Sequence, residues 1–208
     1  MIKLNYLVKP FPHFLIEDFY TIEELDAVKN EIVKLSNFLR SAESTGSAVD
    51  SNGNLKKQNL GVFITDVYRH GEMSAIFNAR KKLFAPDIVE NISNKNIIFS
   101  YFPFTNSDNT LIQFYKNDDY YMSHWDVCLY SFITVFLLGE KKYTGGKLRF
   151  NKYDYELDLQ HNQSIFFPSY VEHEVTKLNV ESDNLLDSRI SITTLIGITP
   201  RWLREQNK

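Results

Sequence analysis

A histidine and an aspartate stand two positions apart in the segment YYMSHWDVCLYSF, at His124 and Asp126. On an extended strand, side chains at alternate positions point to the same face, so these two project together while Trp125 points away. One imidazole beside one carboxylate supplies two adjacent ligands for a divalent metal. The same pair also occurs as an ordinary surface or structural hydrogen bond, so its meaning depends on the residues further along the chain.

A third ligand must come from elsewhere in the fold, and His173 stands at the start of a later strand segment, HEVTKL. Two histidines and one carboxylate on one face of a metal leave the opposite coordination positions open. This is the ligand set that non-haem Fe(II) oxygenases use, and the open positions there take the co-substrate and O₂. We therefore predict a metal site formed by three side chains.

Arg189 opens the strand pattern RISITTLIGIT, which is otherwise largely apolar. An arginine beside a core needs an anionic partner, because an unpaired buried guanidinium is costly. Its planar guanidinium suits bidentate binding of a carboxylate. Ser191 lies two residues further on, faces the same way, and can add a hydroxyl donor.

The elements before residue 95 have a helical pattern. Thr21 and Glu24 form a capping box in front of an amphipathic helix. A second helix is predicted over about 71–84. Between them, the polar stretch 41–60 is rich in Ser, Gly and Asn, which predicts a loop.

After about residue 96 the chain consists of short segments rich in β-branched and aromatic residues, separated by turn-forming stretches. Many short strands at close spacing favour an antiparallel sandwich or barrel. Gly145 and Gly146 stand directly before the strand segment KLRF and permit a tight hairpin or a bulge. We expect a single domain over 1–208 that is mostly β, with an N-terminal helical layer at 1–95 and a β core at 96–200. The strand segments are NIIFSYF, TLIQFYK, YYMSHWD, SFITVFLL, KLRFN, YELDL, SIFFPS, HEVTKL and RISITTLIGIT.

The composition excludes several classes of protein. A net charge of −3 argues against a broad phosphate-binding footprint, so nucleic acid is not an expected partner. No stretch reaches the roughly 18 apolar residues that a membrane-spanning helix needs. The start of the chain lacks the apolar core of a signal peptide, because Lys3, Asn5 and Lys9 interrupt it. With one cysteine, Cys128, the chain cannot form an intramolecular disulfide, so we expect a soluble cytoplasmic protein.

The ordered set HWD, GGKLRF, FFPSYVEHEV and RIS resembles the Fe(II)/2-oxoglutarate-dependent dioxygenases, and especially their prolyl 4-hydroxylase-like branch. The resemblance covers about residues 98–198. It implies a double-stranded β-helix, or jelly-roll, with flanking helices, which agrees with the strand pattern. It also implies Fe(II) as the metal and 2-oxoglutarate and O₂ as co-substrates, with ascorbate as a reductant that could stimulate turnover.

The resemblance assigns roles to particular side chains. His124, Asp126 and His173 would be the iron ligands. The branch carries two tyrosines before its HxD pair, and here Tyr115 and Tyr121 stand in those places. Tyr121 would lie near the substrate or the mouth of the site.

Arg189 would pair with the distal carboxylate of 2-oxoglutarate, with Ser191 and Tyr115 as helpers. Its distance of sixteen residues from His173 is longer than usual in the family, so Lys177 is a nearer alternative anchor. A glycine common before the FFPS-type strand is also missing. Asn162 stands in that turn and tolerates a left-handed backbone conformation.

By resemblance, the expected reaction hydroxylates a prolyl residue of a protein or peptide, with the 41–60 loop and the stretch TNSDN as a lid. A free amino acid or another small metabolite is an alternative substrate. A cupin-like metal hydrolase or isomerase would use the same three ligands with Zn, Mn or Ni and would leave Arg189 without a role. A non-catalytic binding module would lack a ligand, and none is missing here.

Overall fold

The computed structural model describes residues 2–69, 73–182 and 184–199. Within these ranges the chain forms four α-helices, all of them in its N-terminal part. None of the four is long and apolar enough to cross a bilayer. They are α1 (Ile22–Leu35), α2 (Ile64–Val67), α3 (Ala75–Arg80) and α4 (Pro86–Ser93).

Helix α1 begins with the predicted capping box. The Thr21 hydroxyl accepts a hydrogen bond from the Glu24 N–H at 3.3 Å, and the Glu24 carboxylate accepts one from the Thr21 N–H at 2.9 Å. Both bonds satisfy donors that the first turn of a helix leaves free. Val28, Ile32 and Leu35 are buried on the inner face of the helix, as their spacing predicts.

The second predicted helix, 71–84, is shorter than expected. Helix α3 begins after Ser74, whose side chain caps it, and Lys81–Phe84 continues as a 3₁₀ turn. The start of the predicted helix, at residues 71 and 72, lies outside the described residues.

Fifteen strands lie within the described ranges, and neighbouring strands pair antiparallel. They are β1 (Lys3–Leu7), β2 (His13–Glu17), β3 (Arg40–Ser41), β4 (Lys57–Gln58), β5 (Leu60–Phe63), β6 (Ser107–Tyr115), β7 (Tyr120–His124), β8 (Tyr130–Phe136), β9 (Tyr143–Gly145), β10 (Leu148–Phe150), β11 (Tyr155–Leu157), β12 (Ser164–Pro168), β13 (His173–Val175), β14 (Leu178–Val180) and β15 (Arg189–Gly197).

The strands form a large sheet, a small sheet and a separate pair. The large sheet has the order β1-β2-β12-β8-β15-β6-β5-β3, the small sheet has the order β11-β10-β13-β7-β4, and β14 pairs with β9. One apolar cluster joins the helices to the large sheet, and a second joins the large sheet to the small one. The mostly β fold with a jelly-roll core and few, N-terminal helices is confirmed.

Strand β15 presents one face to the helices and the other to the small sheet. Ile190 and Ile192 belong to the helix-side cluster, whereas Arg189, Ser191 and Thr193 line a cavity on the opposite face. This alternation follows from the two-residue period of a strand. The polar positions of RISITTLIG therefore face the space between the two sheets.

Two sequence expectations about these elements need correction. The region 1–95 is not only helical, because it supplies β1–β5, and four of these strands extend the large sheet. The segment NIIFSYF forms no strand; Ile97–Phe99 and Phe102–Phe104 are 3₁₀ turns. Its aromatic residues are still buried, since Phe99 and Phe102 pack against Phe166 at ring distances of 5.7 and 5.1 Å. Burial of aromatic rings explains the strand-like composition.

The turn between β11 and β12 fastens the large sheet to the start of α1. Asn162 has a φ of 62°, in the left-handed region that asparagine tolerates. Its side-chain oxygen accepts from the Tyr20 N–H at 2.8 Å, and its amide donates to the Tyr20 carbonyl at 2.8 Å. The asparagine thus replaces the missing glycine and adds two buried hydrogen bonds.

We expect Asn162→Ala to lower the free energy of unfolding by about 2–3 kcal/mol, because it leaves the buried Tyr20 N–H and carbonyl unpaired. Asn162→Gly should cost about 1 kcal/mol less, since glycine adopts the same φ without strain. Urea unfolding of both variants checks the difference. Equal losses would mean that the backbone conformation contributes nothing.

Candidate metal centre and its cavity

Two strands of the small sheet bring the predicted metal ligands together. His124 ends β7, and His173 begins β13 directly opposite it in the antiparallel register. Asp126 follows two residues after the end of β7, where its N–H donates to the Ser169 carbonyl at 3.1 Å. The three side chains lie in one group whose ligating atoms are all within 4.8 Å of one another.

The orientation of both imidazoles is set by their own backbone. Nδ1 of His124 lies 2.8 Å from the Met122 carbonyl, and Nδ1 of His173 lies 3.0 Å from the Val171 carbonyl. A carbonyl only accepts, so each Nδ1 carries the proton and each Nε2 presents a free lone pair. This is the usual second hydrogen bond of a metal-binding histidine.

The Asp126 carboxylate faces both lone pairs. Its two oxygens lie 3.6 Å from Nε2 of His124 and of His173, too far for a good hydrogen bond. Distances of this size between ligand atoms leave room for one metal ion that all three side chains bind. The donor set of two neutral imidazoles and one carboxylate fits Fe(II) with open coordination positions.

Two serines that the sequence analysis missed hold the carboxylate in place. The Ser131 hydroxyl donates to Oδ2 of Asp126 at 2.5 Å, and the Ser131 and Ser169 hydroxyls lie 2.8 Å apart. The Cys128 thiol, 2.8 Å from the Ser169 hydroxyl, extends this chain. Ser131 and Cys128 stand five and two residues after Asp126 in the sequence. Ser169, in the turn after β12, is brought to them by the tertiary fold.

The electrostatics of the site favour a neutral imidazole at His124. Burial, helped by the neighbouring His173, lowers the pKa of His124 to about 3 in the metal-free protein. An unprotonated imidazole is the form that binds a metal.

Arg189 lies at the opposite side of the cavity on the large sheet. It is only 2% exposed, and its Nη1 is buried without a hydrogen-bond partner among the described residues. The Tyr115 ring, on the neighbouring strand β6, lies 5.2 Å from the guanidinium carbon. Burial raises the pKa of Tyr115, so its hydroxyl stays protonated and able to donate.

A glycine makes room for this arginine. Gly146 has a φ of 62°, and a Cβ placed there would lie 2.6 Å from Cδ of Arg189. Any larger residue would therefore displace the guanidinium. The glycine pair predicted to permit a hairpin also leaves the space that Arg189 fills.

The cavity wall around Arg189 is polar. The Ser191 and Thr193 hydroxyls donate to Oε1 of Gln113 at 3.4 and 3.3 Å, and its Nε2 donates to the Tyr115 hydroxyl at 3.3 Å. The sequence analysis did not single out Gln113. It stands two residues before Tyr115, and the two-residue period of a strand puts both side chains on one face.

Lys177, the alternative anchor, is placed elsewhere. Its side chain is 64% exposed and pairs with Asp118 at 2.6 Å. It does not line the cavity that contains the three ligands and Arg189. The interval of sixteen positions from His173 to Arg189 instead includes strand β14 and a 3₁₀ turn at Leu185–Asp187.

The cavity has a volume of about 360 Å³ and contains both the candidate ligands and Arg189. Tyr121 stacks on His124 with ring centroids 3.5 Å apart, and its hydroxyl accepts from the Ala48 N–H at 3.3 Å. Trp125 and Val127 also line it, but Trp125 is 61% exposed and so belongs to the rim. His124 and Asp126 lie together in the ligand group, and Trp125 between them is not part of it.

The stretch 41–60, predicted as a loop, forms one wall of this cavity. It contains a 3₁₀ turn at Ala42–Thr45 and strand β4, in which Lys57 pairs with Tyr121. Lys57 is 4% exposed, and its Nζ donates to Oγ1 of Thr45 at 3.0 Å and to the Thr45 carbonyl at 3.4 Å. Burial lowers the pKa of Lys57 to about 8, against an opposing effect of Asp126. The sequence analysis missed this lysine.

The fold resembles solved structures of oxygenases. A prolyl-4-hydroxylase from Pseudomonas putida superposes with a TM-score of 0.59 at 14% identity, over 90% of this chain and 93% of that one. The viral collagen prolyl hydroxylase of Paramecium bursaria Chlorella virus-1, solved with 2OG, gives 0.56 at 15% identity, over 90% and 96%. OsALKBH1 gives 0.56 at 14% identity, over 92% and 100%.

Identities this low show a shared fold, and they confirm the fold that the sequence resemblance implied. No protein-family model matches the chain, and no curated protein sequence matches it. The fold is that of prolyl 4-hydroxylases and other 2OG-Fe(II) oxygenases.

We expect Ser131→Ala to weaken metal binding by about tenfold or more, because Asp126 loses the donor that orients it. Ser164→Ala is the matched control, since Ser164 is equally buried on the same sheet, bonds to Thr134, and does not line the cavity. Calorimetric titration with Mn(II), a redox-stable substitute for Fe(II), measures both. Equal affinities in the two variants would contradict the role of Ser131.

Without metal, the protein should lose stability as the pH falls below about 6.5. Folding lowers the pKa of His124 from the ordinary histidine value of 6.5 to about 3, so the unfolded chain takes up a proton that the folded chain refuses. The contribution of the neutral His124 to the free energy of unfolding is fully present above pH 6.5. It falls by up to about 1.4 kcal/mol per pH unit as the pH drops from about 6.5 towards 3. Urea unfolding in a chelator, between about pH 7 and 5, should give a shallower slope for His124→Gln. Identical slopes would show that the imidazole is not held neutral.

Proposed function

We propose that this protein is an Fe(II)- and 2-oxoglutarate-dependent dioxygenase that hydroxylates its substrate and releases succinate and CO₂. One observation carries the proposal: a group of two imidazoles and one carboxylate shares a cavity with a buried arginine whose Nη1 has no hydrogen-bond partner among the described residues. A metal with open positions and a dicarboxylate fit these two features together.

In this proposal, His124, Asp126 and His173 hold the iron. Arg189 binds the distal carboxylate of 2-oxoglutarate, and its buried Nη1 supplies an N–H that no described residue accepts. The Tyr115 hydroxyl stays protonated and is a second donor for the same carboxylate.

Iron and the keto acid together supply the oxidising chemistry when they are bound. The protein positions the reactants and keeps water away from them. Leu111, Ile133, Leu148, Val175 and Leu195 make much of the cavity lining apolar. The Tyr121 ring shields one face of the His124 imidazole. These contacts keep the ligands in one geometry while the cavity opens past Trp125 and Val127.

We propose a prolyl residue of a peptide or protein as the substrate. The exposed Trp125 and Val127 at the rim offer apolar surface to an extended chain. The fold neighbours include a prolyl-4-hydroxylase and a collagen prolyl hydroxylase by name. The segment 45–48, which contacts Tyr121 and lines the cavity, is positioned to act as the lid.

The proposal is tested by incubating the protein with Fe(II), ascorbate, O₂ and 2-oxoglutarate and measuring succinate. Wild type should form succinate slowly without added substrate. Arg189→Met should bind 2-oxoglutarate at least tenfold more weakly in anaerobic calorimetry, because a charged partner is lost, and should still bind Mn(II).

Lys177→Met is the matched control and should bind the keto acid as wild type does, since Lys177 lies outside the cavity. The reverse pattern would make Lys177 the anchor. Wild type that binds neither Mn(II) nor 2-oxoglutarate would end the oxygenase proposal.

A further inference from the structure

The charged side chains that line the cavity do not balance. Among the described residues, its lining contains two cations, Lys57 and Arg189, and one carboxylate, Asp126. Fe(II) adds two positive charges and 2-oxoglutarate adds two negative ones. The loaded cavity therefore keeps a surplus of one positive charge, and an uncompensated buried charge is costly.

The surplus lies at Lys57. Arg189 would be matched by the distal carboxylate of the keto acid, and Asp126 would be matched by iron. Among the described residues, the Lys57 ammonium donates to the hydroxyl and the carbonyl of Thr45, both of which are neutral. No carboxylate of these residues lies within salt-bridge distance of it, and Asp126 acts on it from further away. A lysine that is 4% exposed and has no carboxylate at salt-bridge distance is unusual for a purely structural position.

The position of Lys57 puts this charge next to the reaction centre. Its Nζ lies 5.6 Å from the centre of the Tyr121 ring, and that ring stacks on His124. In the strand register, Lys57 is the direct neighbour of Tyr121. The ammonium therefore lies on the metal side of the cavity, on the wall formed by residues 45–57.

We propose that Lys57 binds a carboxylate of the substrate, so that the compound hydroxylated is anionic close to its reacting atom. This inference rests on the proposed function and narrows its substrate class. The carboxylate can belong to a free amino acid, to the C-terminus of a peptide, or to an acidic side chain beside the hydroxylated residue. All three sources share one chemistry, a carboxylate that completes the charge balance and accepts from the ammonium.

Three matched pairs of probes test the proposal and separate the sources. They are L-proline and L-prolinamide, acetyl-glycyl-proline and its amide, and the amides of acetyl-Glu-Pro and acetyl-Gln-Pro. Each pair differs by one carboxylate. Binding is measured by anaerobic calorimetry to protein loaded with Mn(II) and 2-oxoglutarate, so the readout does not depend on turnover.

In at least one pair, wild type should bind the carboxylate member at least tenfold more tightly than its amide. Lys57→Met should lose this preference, and the adjacent Lys56→Met should keep it, because Lys56 bonds to the Ser123 carbonyl and does not line the cavity. A purely structural Lys57 would change both members of a pair alike. Lys57→Gln, which can still donate to Thr45, provides a second variant if Lys57→Met does not fold.

The proposal is wrong if no pair shows a carboxylate preference, or if the preference survives in both Lys57 variants. Weaker binding of 2-oxoglutarate itself in Lys57→Met, with the preference intact, would instead assign Lys57 to the co-substrate. Failure of the proposed function is seen separately, because Mn(II) and 2-oxoglutarate are titrated first. In that case the pairs are titrated into the metal-free Arg189→Met protein, where Lys57 is the remaining cation of the described cavity lining and should determine the carboxylate preference.

Discussion

The pairing of β7 with β13 is the constraint on which the site depends. It sets His124 opposite His173, although 48 residues separate them in the sequence. Side chains alternate along a strand, so a slip of one residue would turn one imidazole to the other face of the small sheet. The backbone carbonyls of Met122 and Val171 then fix the ring orientation. The metal geometry is therefore specified by main-chain hydrogen bonds before any metal binds.

The large sheet imposes the second constraint, a buried cation without an internal counter-charge. Tyr115 stays neutral, Gln113 is an uncharged amide, and Gly146 contributes only space. Such an arrangement costs stability, because the guanidinium loses hydration that no carboxylate of the described residues replaces. A well-packed apolar residue at position 189 would suit the sheet better. An anion from outside would complete this arrangement, and the distal carboxylate of 2-oxoglutarate has that role in the proposed function.

Much of the fold could be predicted because its signals are local. The capping box at Thr21, the left-handed turn at Asn162 and the two-residue period of RISITTLIGIT each involve neighbours in sequence. The same period correctly placed Arg189 and Ser191 on one face. Prediction failed where the same local composition is compatible with two structures. The aromatic segment NIIFSYF is buried as 3₁₀ turns instead of a strand. The polar stretch 41–60, predicted as a loop, contains a strand that pairs with β7.

Residues that meet only through long-range register could not be predicted. Ser169 meets Ser131 and Cys128 from the turn after β12, although 38 and 41 positions separate it from them. Ser131 is close to Asp126 in sequence, but its bond to the carboxylate depends on the turn between β7 and β8.

The resemblance to known oxygenases covers about residues 98–198, and this range contains the three ligands and Arg189. Lys57, to which we assign the substrate, lies outside it. In the proposed function, β7, β13 and β15 hold the metal and the co-substrate, and the wall at 45–57 contacts the substrate. The wall is tied to β7 by the pairing of β4, by the bond from Lys56 Nζ to the Ser123 carbonyl and by the bond from the Ala48 N–H to Tyr121. The shared fold does not define these contacts, so the substrate of the proposed reaction has to be argued from the charge and shape of that wall.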